Sequence, residues 1–113
     1  MRCERLDVWK RSCRLSVEVY KNFAKSKDFG FKDQITRSSL SIPSNIAEGL
    51  EKESDKEKVR YIEIARGSSA ELITQIYIGI EIGYIEKTIG MSWARELEEL
   101  SKMLSGLKKN YVK

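Results

Sequence analysis

Apolar residues recur every three or four positions along four stretches of this 113-residue chain, and short polar connections separate the stretches. That period is typical of amphipathic α-helices, in which every third or fourth side chain lies on one face. The last stretch has the most regular spacing, and its apolar residues are Trp93, Leu97, Leu100, Leu104, Leu107 and Tyr111. Four such stretches predict an all-α, up-down-up-down four-helix bundle, with residues 1–113 forming a single domain.

Capping residues and glycines predict where the four helices begin and end. Aspartate and serine accept hydrogen bonds from the free N–H groups of a helix start, and glycine often follows a helix end. The predicted helices run over residues 8–25, 32–49, 55–82 and 93–111, with caps at Asp7, Ser54 and Ser92 and with Gly49 and Gly83 at two of the ends. The segments 27–31 and 85–90 are then expected to be connections.

The first predicted helix carries two apolar rows. The longer row is expected to face the core, and it contains Trp9, Cys13, Ser16, Tyr20 and Phe23. Leu15 and Val19 form a second row. A helix in a monomeric bundle needs one apolar stripe, so the second row predicts a contact with another subunit.

The third predicted helix has its core face at Ile62, Ala65, Ser69, Leu72, Ile76, Ile80 and Gly83. Gly67 and Gly79 lie inside this helix, where each glycine costs about 1 kcal/mol relative to alanine. We therefore expect close packing of a neighbour against both glycines.

The segment 41–49 contains the only proline of the chain and many small residues, and it comprises Ser41, Ile42, Pro43, Ser44, Asn45, Ile46, Ala47, Glu48 and Gly49. Proline lacks the N–H that a helix interior requires and clashes with the preceding turn. The second helix is therefore expected to kink or to restart at Pro43. Two interpretations follow: the small side chains permit close packing against a neighbouring helix, or the kink opens a polar pocket.

Several segments resemble the four-helix-bundle family encoded in intervening sequences of bacterial 23S ribosomal RNA genes. The segment 41–49 is similar to the signature of that family, and the other similar segments are Leu6–Lys10, Ser54–Glu57, Gly67–Leu72 and Gly83–Ile85. The resemblance implies a four-helix bundle that assembles into a ring-like homo-oligomer, a pentamer. A related bundle, the accessory variability protein of diversity-generating retroelements, contacts nucleic acid and its reverse transcriptase. The resemblance thus implies nucleic acid and a nucleic-acid-processing protein as partners.

Positive charge is concentrated at the two ends of the sequence. The formal net charge of +4 divides into +5 for residues 1–37, −4 for residues 38–86 and +3 for residues 87–113. This asymmetry favours a polyanionic partner or complementary self-association. The candidate nucleic-acid-binding residues are Arg2, Arg5, Lys10, Arg11, Arg14, Lys21 and Lys25. Either they contact phosphate groups, or they form an ordinary solvated helix face.

A second candidate site is a polar set on the second and third helices, which contains Arg37, Asn45, Glu48, Arg66, Ser69, Glu71 and Gln75. If these side chains meet in the bundle, they satisfy one another's hydrogen bonds and fix the helix register. Paired carboxylates would alternatively permit acid–base chemistry. No activated nucleophile with its base accompanies the set, so we interpret it as a structural network in a non-enzymatic protein.

The composition argues against metals, cofactors and a membrane location. The chain has no histidine, the commonest metal ligand and general base. Its two cysteines, Cys3 and Cys13, form no CxxC pair. No apolar segment reaches the length of a membrane span, and no secretory signal precedes the first helix. We therefore expect a cytoplasmic protein with reduced thiols, no metal and no cofactor.

Two functional hypotheses follow from these patterns. The first is an oligomeric bundle that binds structured RNA, such as ribosomal RNA, through basic helix faces. The second is a protein-interaction scaffold that self-assembles and has no nucleic-acid role. The charge asymmetry supports the first hypothesis, and the second apolar row supports the second.

Overall fold

The computed structural model describes residues 2–112 and contains four helices: α1 (Asp7–Phe23), α2 (Phe29–Leu50), α3 (Asp55–Glu81) and α4 (Lys87–Lys109). Residues 2–112 include no strand. Each helix packs against the next along the chain and α4 returns to α1, while the backbones of the diagonal pairs do not approach closely within the described chain. This arrangement is an up-down-up-down bundle of 44 × 21 × 20 Å, which confirms the predicted all-α fold.

Apolar side chains from all four helices fill the centre of the bundle. The largest fully buried ones are Val19, Phe23, Ile35, Ile42, Ile46, Ile62, Leu72, Ile76, Leu97, Leu100 and Leu104. The predicted core face of α3 is confirmed from Ile62 to Ile76, and the regular stripe of α4 is buried from Trp93 to Leu104. Helical period therefore identified the core correctly wherever a helix has one dominant apolar row.

Both apolar rows of α1 contribute to the core, and the predicted core row is only partly buried. Leu15 and Val19, which we expected to contact another subunit, are buried in the core. Tyr20, which we expected in the core, is 43% exposed and lies at the edge of α1 toward α2. Of the predicted core row only Ser16 and Phe23 are buried. Spacing alone does not distinguish the rows, because both have the helical period and lie side by side.

The starts of α1 and α2 differ from the predicted ones. Asp7 is the first residue of α1, and Leu6 occupies the cap position without a side-chain hydrogen bond. The prediction that Asp7 caps this helix is therefore wrong. The helix α2 begins at Phe29, within the segment predicted to be a turn, because Asp28 Oδ1 accepts a hydrogen bond of 3.1 Å from the backbone N–H of Phe31. An aspartate cap thus extends α2 by about one turn.

The start of α4 was also predicted too late. This helix begins at Lys87, because the Glu86 side chain accepts a backbone hydrogen bond of 3.0 Å in the cap position, and the predicted cap Ser92 lies inside the helix. The predicted cap Ser54 of α3 is confirmed. Gly83 follows the end of α3 with a φ angle of 82°, a conformation that favours glycine.

Glycines mark two positions of close approach beside α3. A Cβ atom added to Gly49 of α2 would lie 2.6 Å from the Cβ atom of Tyr61, so these two helices meet almost backbone to backbone. A Cβ atom added to Gly79 would lie 2.6 Å from Ile85 Cδ1, which confirms the predicted close packing there. The same prediction for Gly67 is wrong, because this residue is exposed and no atom lies within 4 Å of its added Cβ.

The helix α2 continues through Pro43 from Phe29 to Leu50. The helix therefore does not restart at the proline, and it ends one residue beyond the predicted Gly49. A kink at Pro43 stays a prediction. The pyrrolidine ring is buried on the side of α2 that faces α1.

Candidate nucleic-acid interface

Three of the seven candidate basic residues form an exposed row along α1. Lys10, Arg14 and Lys21 are exposed, and their spacings of four and seven residues place them on one helix face. We call these three residues the α1 basic row. None of them forms an ion pair within residues 2–112. Lys25 is exposed two residues beyond the end of α1. Their positive charges are therefore accessible to a polyanion.

The other three candidate residues occupy different surroundings. Arg2 Nη1 donates a hydrogen bond of 3.2 Å to the carbonyl oxygen of Leu50, so its charge lies at the C-terminal end of α2. Arg5 is exposed in the turn that precedes α1. Arg11 is half-buried and binds Glu96 of α4, which places it outside the α1 basic row.

Three hydrogen-bonded pairs connect α1 to α4, and we call this contact the α1/α4 seam. In one of them Arg11 Nη1 donates to Met103 Sδ at 3.4 Å. Arg11 donates from Nε and Nη2 to the two carboxylate oxygens of Glu96, at 2.9 and 2.6 Å. Trp93 Nε1 donates to Glu18 Oε1 at 3.0 Å. The hydrogen bond from Arg11 lowers the pKa of Glu96, although partial burial acts in the opposite direction. An ionised carboxylate therefore ties the two helices together.

A groove of about 290 Å³ follows the α1/α4 seam, and it is lined by Arg11, Arg14, Leu15, Glu18, Ser92, Trp93, Arg95 and Glu96. Arg95 is an exposed α4 residue that sequence reasoning did not select. The useful signal was the positive charge of residues 87–113, but the sequence does not show which residues of the last helix lie opposite α1. The fold thus adds a basic residue from a second helix to the α1 basic row.

A ladder of small polar residues joins α2 to α3, and we call this contact the α2/α3 seam. Ser38 Oγ donates to Glu71 Oε1 at 2.8 Å. The hydroxyl groups of Ser41 and Ser68 share a hydrogen bond of 2.8 Å. Asn45 Nδ2 donates to the carbonyl oxygen of Ser41 at 2.7 Å. The segments 41–49 and 67–72, both singled out in the sequence, therefore meet in this seam.

The predicted polar set does not form one network. Glu71 and Gln75 lie on the α2 side of α3, in a groove of about 300 Å³ that Arg37 also lines. Arg66 and Ser69 line a different groove, between α3 and α4. The set is divided because its α3 members lie on opposite flanks of that helix. Serines that complete the α2/α3 seam were not predicted, since a serine carries little signal by itself.

Members of the polar set find partners mostly on their own helices. Arg37 Nε donates to Asp33 at 2.9 Å, and Arg66 Nη1 donates to Glu63 at 2.9 Å, which lowers the pKa of Glu63. The buried Ser69 hydroxyl has no hydrogen-bond partner within residues 2–112. These contacts provide no carboxylate pair for acid–base chemistry.

The segment 41–49 packs mainly inward. Its buried members are Ile42, Pro43, Ile46 and Gly49, its half-buried members are Ser41, Asn45 and Ala47, and its exposed members are Ser44 and Glu48. The groove beside Pro43 has a lining that is mainly apolar, and Gly49 meets Tyr61 closely. These contacts favour the close-packing interpretation of the segment over a polar pocket at Pro43.

An apolar groove of about 400 Å³ lies between α1 and α2, and its lining contains Cys13, Ser16, Val17, Tyr20, Lys21, Leu40 and Pro43. Three of these side chains are substantially exposed: Val17 (51%), Tyr20 (43%) and Leu40 (48%). Most apolar side chains of that size are buried in a monomer, so a cluster of exposed ones indicates a contact surface.

The two cysteines are free thiols, with Cys3 buried and Cys13 half-buried. Burial raises the pKa of both thiols, so they stay protonated and unreactive at neutral pH. Among residues 2–112, no three histidine, cysteine, aspartate or glutamate side chains are arranged to hold a metal ion. Within the same part of the chain, no helix combines the length and apolar character required to cross a membrane.

Comparison with known proteins places this geometry in context. The sequence model of the family described as 23S rRNA-intervening sequence protein matches residues 4–106. A 1.70 Å crystal structure from Bacteroides thetaiotaomicron VPI-5482, described as a protein with unknown function from the S23 ribosomal protein family, aligns with a TM-score of 0.83. The two sequences are 26% identical, and the alignment covers 90% of this chain and 98% of that chain. The search of curated proteins gives no match.

Proposed function

The chain belongs to the 23S rRNA-intervening sequence protein family, and on that premise we propose that it is a non-enzymatic, cytoplasmic, oligomeric bundle that binds structured RNA, such as ribosomal RNA. The observation that carries this proposal is the α1 basic row. Lys10, Arg14 and Lys21 present three accessible charges on one face and have no ion-pair partner within the described residues. A phosphate backbone is bound by such a surface, with an affinity that falls as salt is added.

A double charge reversal tests this surface. The variant Lys10→Glu/Arg14→Glu is expected to weaken binding of a labelled 23S rRNA fragment by about 100-fold at low salt, since two attractive contacts become repulsive. The variant Lys56→Glu/Arg60→Glu is the matched control. It changes the same residue types at the same spacing, on α3, whose backbone does not approach that of α1 closely.

The control variant is expected to bind the RNA within about threefold of the wild-type affinity, because its charges lie on the diagonal helix. Circular dichroism spectra of both variants check that the helices are retained. Equal losses in the two variants would show that net charge alone matters, and wild-type affinity of Lys10→Glu/Arg14→Glu would contradict the assignment of the α1 basic row.

We further propose that a second copy of the chain covers the apolar groove between α1 and α2. A different apolar row is exposed along α3, where Ile64 is 38% exposed, Ile78 48% and Ile82 51%. Because the groove and this row are unlike surfaces, pairing them gives a head-to-tail contact. Such contacts form a ring when the rotation between subunits closes. The family resemblance implies five subunits.

The variant Val17→Lys/Leu40→Lys tests the assembly, because it places two charges in the groove that the second copy covers. Light scattering after size exclusion is expected to give the mass of five chains for the wild type and of one chain for the variant. The lysines are placed at exposed positions, so the helical content should not change. A monomeric wild type at micromolar concentration would contradict the proposed ring.

The apolar groove also supports a second candidate function, a protein-interaction scaffold without a nucleic-acid role. In that case the groove binds another protein, such as a nucleic-acid-processing enzyme, through Tyr20, Val17 and Leu40. A specific complex that survives nuclease treatment and is lost in Val17→Lys/Leu40→Lys would support the scaffold. Loss of the complex on nuclease treatment would instead support the RNA-binding bundle.

A further inference from the structure

We propose that the groove along the α1/α4 seam holds one phosphate group between the guanidinium groups of Arg14 on α1 and Arg95 on α4. This inference rests on the proposed RNA-binding function and deepens it. It adds α4 to the RNA-binding surface, and it places a phosphate-binding groove beside Arg14 of the α1 basic row. The RNA backbone then crosses from Lys10 and Lys21 into a groove with basic groups from both helices.

The charged side chains that line the groove differ in whether another residue of the protein binds them. Its two carboxylates have internal partners, because Trp93 donates to Glu18 at 3.0 Å and Arg11 binds Glu96 at 2.6 and 2.9 Å. Arg14 and Arg95 have no ion-pair partner within residues 2–112. The groove therefore carries three guanidinium groups and two carboxylates. Arg11 neutralises Glu96, whereas the neutral indole N–H of Trp93 binds Glu18 without neutralising it. The net positive charge and the two arginines without an ion-pair partner favour an external anion.

The chemistry of the remaining groups fits a phosphate. Guanidinium donates pairs of N–H groups in a planar fork that matches two phosphate oxygens. The hydroxyl group of Ser92 lines the same groove and adds a neutral donor. A volume of about 290 Å³ accommodates a phosphate group with its bound water. A carboxylate ligand would use only part of this donor set, so phosphate is the better match.

The walls of the groove are held in place without the ligand. The Arg11–Glu96 and Trp93–Glu18 pairs join α1 to α4 within the lining of the groove, and Trp93 is only 3% exposed. A binding site that is positioned before the ligand arrives loses less conformational entropy on binding. Arg14 and Arg95 thus project from two helices whose separation is already set.

The salt dependence of RNA binding tests whether both arginines share one phosphate. We expect Arg95→Gln to weaken binding of the 23S rRNA fragment roughly fivefold at low salt, as expected for a lost phosphate contact. In the double variant Arg14→Gln/Arg95→Gln, the slope of log K against log salt should decrease by about 1, because one phosphate contact releases about 0.9 counterions. The control Lys56→Gln, on the diagonal helix α3, should leave the slope unchanged.

Trp93 provides an independent readout because it lines the groove. In a Trp9→Phe background it is the only tryptophan, and its emission should change when the RNA fragment binds. The change should disappear in Arg95→Gln. Inorganic phosphate added at constant ionic strength distinguishes two sources of the anion. A response to phosphate as well as RNA identifies a free phosphate as a ligand, and a response to RNA alone assigns the site to the RNA backbone.

Different results would contradict the two-arginine phosphate site and the proposed RNA-binding function. Wild-type affinity and slope in Arg95→Gln, with Lys10→Glu/Arg14→Glu still defective, would overturn the two-arginine site and leave the RNA-binding function intact. A loss of about two units of slope in Arg14→Gln/Arg95→Gln would also overturn it, because two separate phosphates would then be bound. A wild-type protein that binds no RNA, and whose Trp93 emission does not respond to phosphate, would refute both proposals.

Discussion

The α2/α3 seam is built mainly from small polar side chains, with the carboxylate of Glu71 accepting from Ser38, whereas the α1/α4 seam is built from long side chains, most of them charged. In the first, serine hydroxyl groups meet at 2.8 Å and Gly49 lets the backbones approach. In the second, an arginine spans the gap to Glu96, and a groove of about 290 Å³ remains beside the contact. The backbones of α2 and α3 approach each other more closely than those of α1 and α4, so we call the α2/α3 side the closed side and the α1/α4 side the open side. Both sides border a groove of similar volume, about 300 Å³ and about 290 Å³ respectively.

The difference between the seams separates structure from binding. At the α2/α3 seam, serine hydroxyl groups bond one another and the Glu71 carboxylate, so the seam contacts add no positive charge for a polyanion. At the α1/α4 seam the carboxylates have internal partners, and Arg14 and Arg95 are exposed without an ion-pair partner within residues 2–112. We infer that the segments resembling the family signature mainly secure the fold, and that the less conspicuous basic residues carry the interaction.

The largest expected effect on stability comes from a substitution that separates α2 from α3. Gly49→Ala places a Cβ atom 2.6 Å from Tyr61 Cβ and 3.6 Å from the carbonyl oxygen of Lys58, so α2 and α3 must separate. Overpacking of this kind costs about 2 kcal/mol of unfolding free energy. For a domain of this size that loss lowers Tm by roughly 8 °C. Thermal unfolding followed by circular dichroism measures the change.

Gly67→Ala is the matched control for that variant. No atom lies within 4 Å of the added Cβ, and the position is exposed inside α3. Alanine should therefore stabilise the protein by about 1 kcal/mol through its higher helix propensity. If Gly49→Ala were as stable as Gly67→Ala, the close approach of α2 and α3 would be refuted.

A smaller effect is expected from weakening the open side with Glu96→Gln. The exchange removes the ion pair with Arg11, in which each of the two side chains is about one-third exposed. An ion pair in such surroundings contributes about 1 kcal/mol to the free energy of unfolding. Arg11 lowers the pKa of Glu96, so the stabilisation is present above the ordinary carboxylate pKa of about 4.3 and is lost as the pH falls through the lowered value.

Urea unfolding at pH 7 and at pH 3 checks this sign. The wild type should be more stable than Glu96→Gln at pH 7, and the difference should shrink at pH 3 as the wild-type carboxylate becomes protonated. A difference between the two proteins that grows on acidification would contradict the ion pair's role in the α1/α4 seam.

The smallest expected effect concerns a single rung of the α2/α3 seam. Ser38→Ala removes the hydrogen bond to Glu71 Oε1. A hydrogen bond from a neutral hydroxyl group to a carboxylate that water can reach contributes about 0.5–1 kcal/mol to the free energy of unfolding. RNA affinity should not change, because this seam lies away from α1. A tenfold loss of RNA affinity in Ser38→Ala with unchanged stability would assign a binding role to the closed side.

Sequence reasoning succeeded where one strong signal dominated. The leucine stripe of α4 and the isoleucine face of α3 identified the core, since one apolar row at helical period has one favourable orientation. On α1 two rows competed, and Tyr20 was assigned to the core although Val19 occupies it. Only packing against the other helices decides between such rows, and the sequence of one helix does not contain that information.

The candidate site was less accessible to sequence reasoning than the fold. The α1 basic row follows from spacing within one helix, and Lys10, Arg14 and Lys21 are exposed together. The pairing of Arg11 with Glu96 and the position of Arg95 depend on the register between helices that are distant in sequence. That register is set by how the helices pack, which the sequence of one helix does not contain.

Binding of a labelled 23S rRNA fragment to the wild-type protein, measured across a salt series against a scrambled RNA of equal length, tests the central claim most directly. We expect log K to fall linearly with log salt, with a slope of about −3 or steeper, because three or more phosphates contact the basic surface. We also expect the authentic fragment to bind more tightly than the scrambled RNA. No binding of either RNA at low salt would contradict RNA binding by this protein and would favour the protein-interaction scaffold.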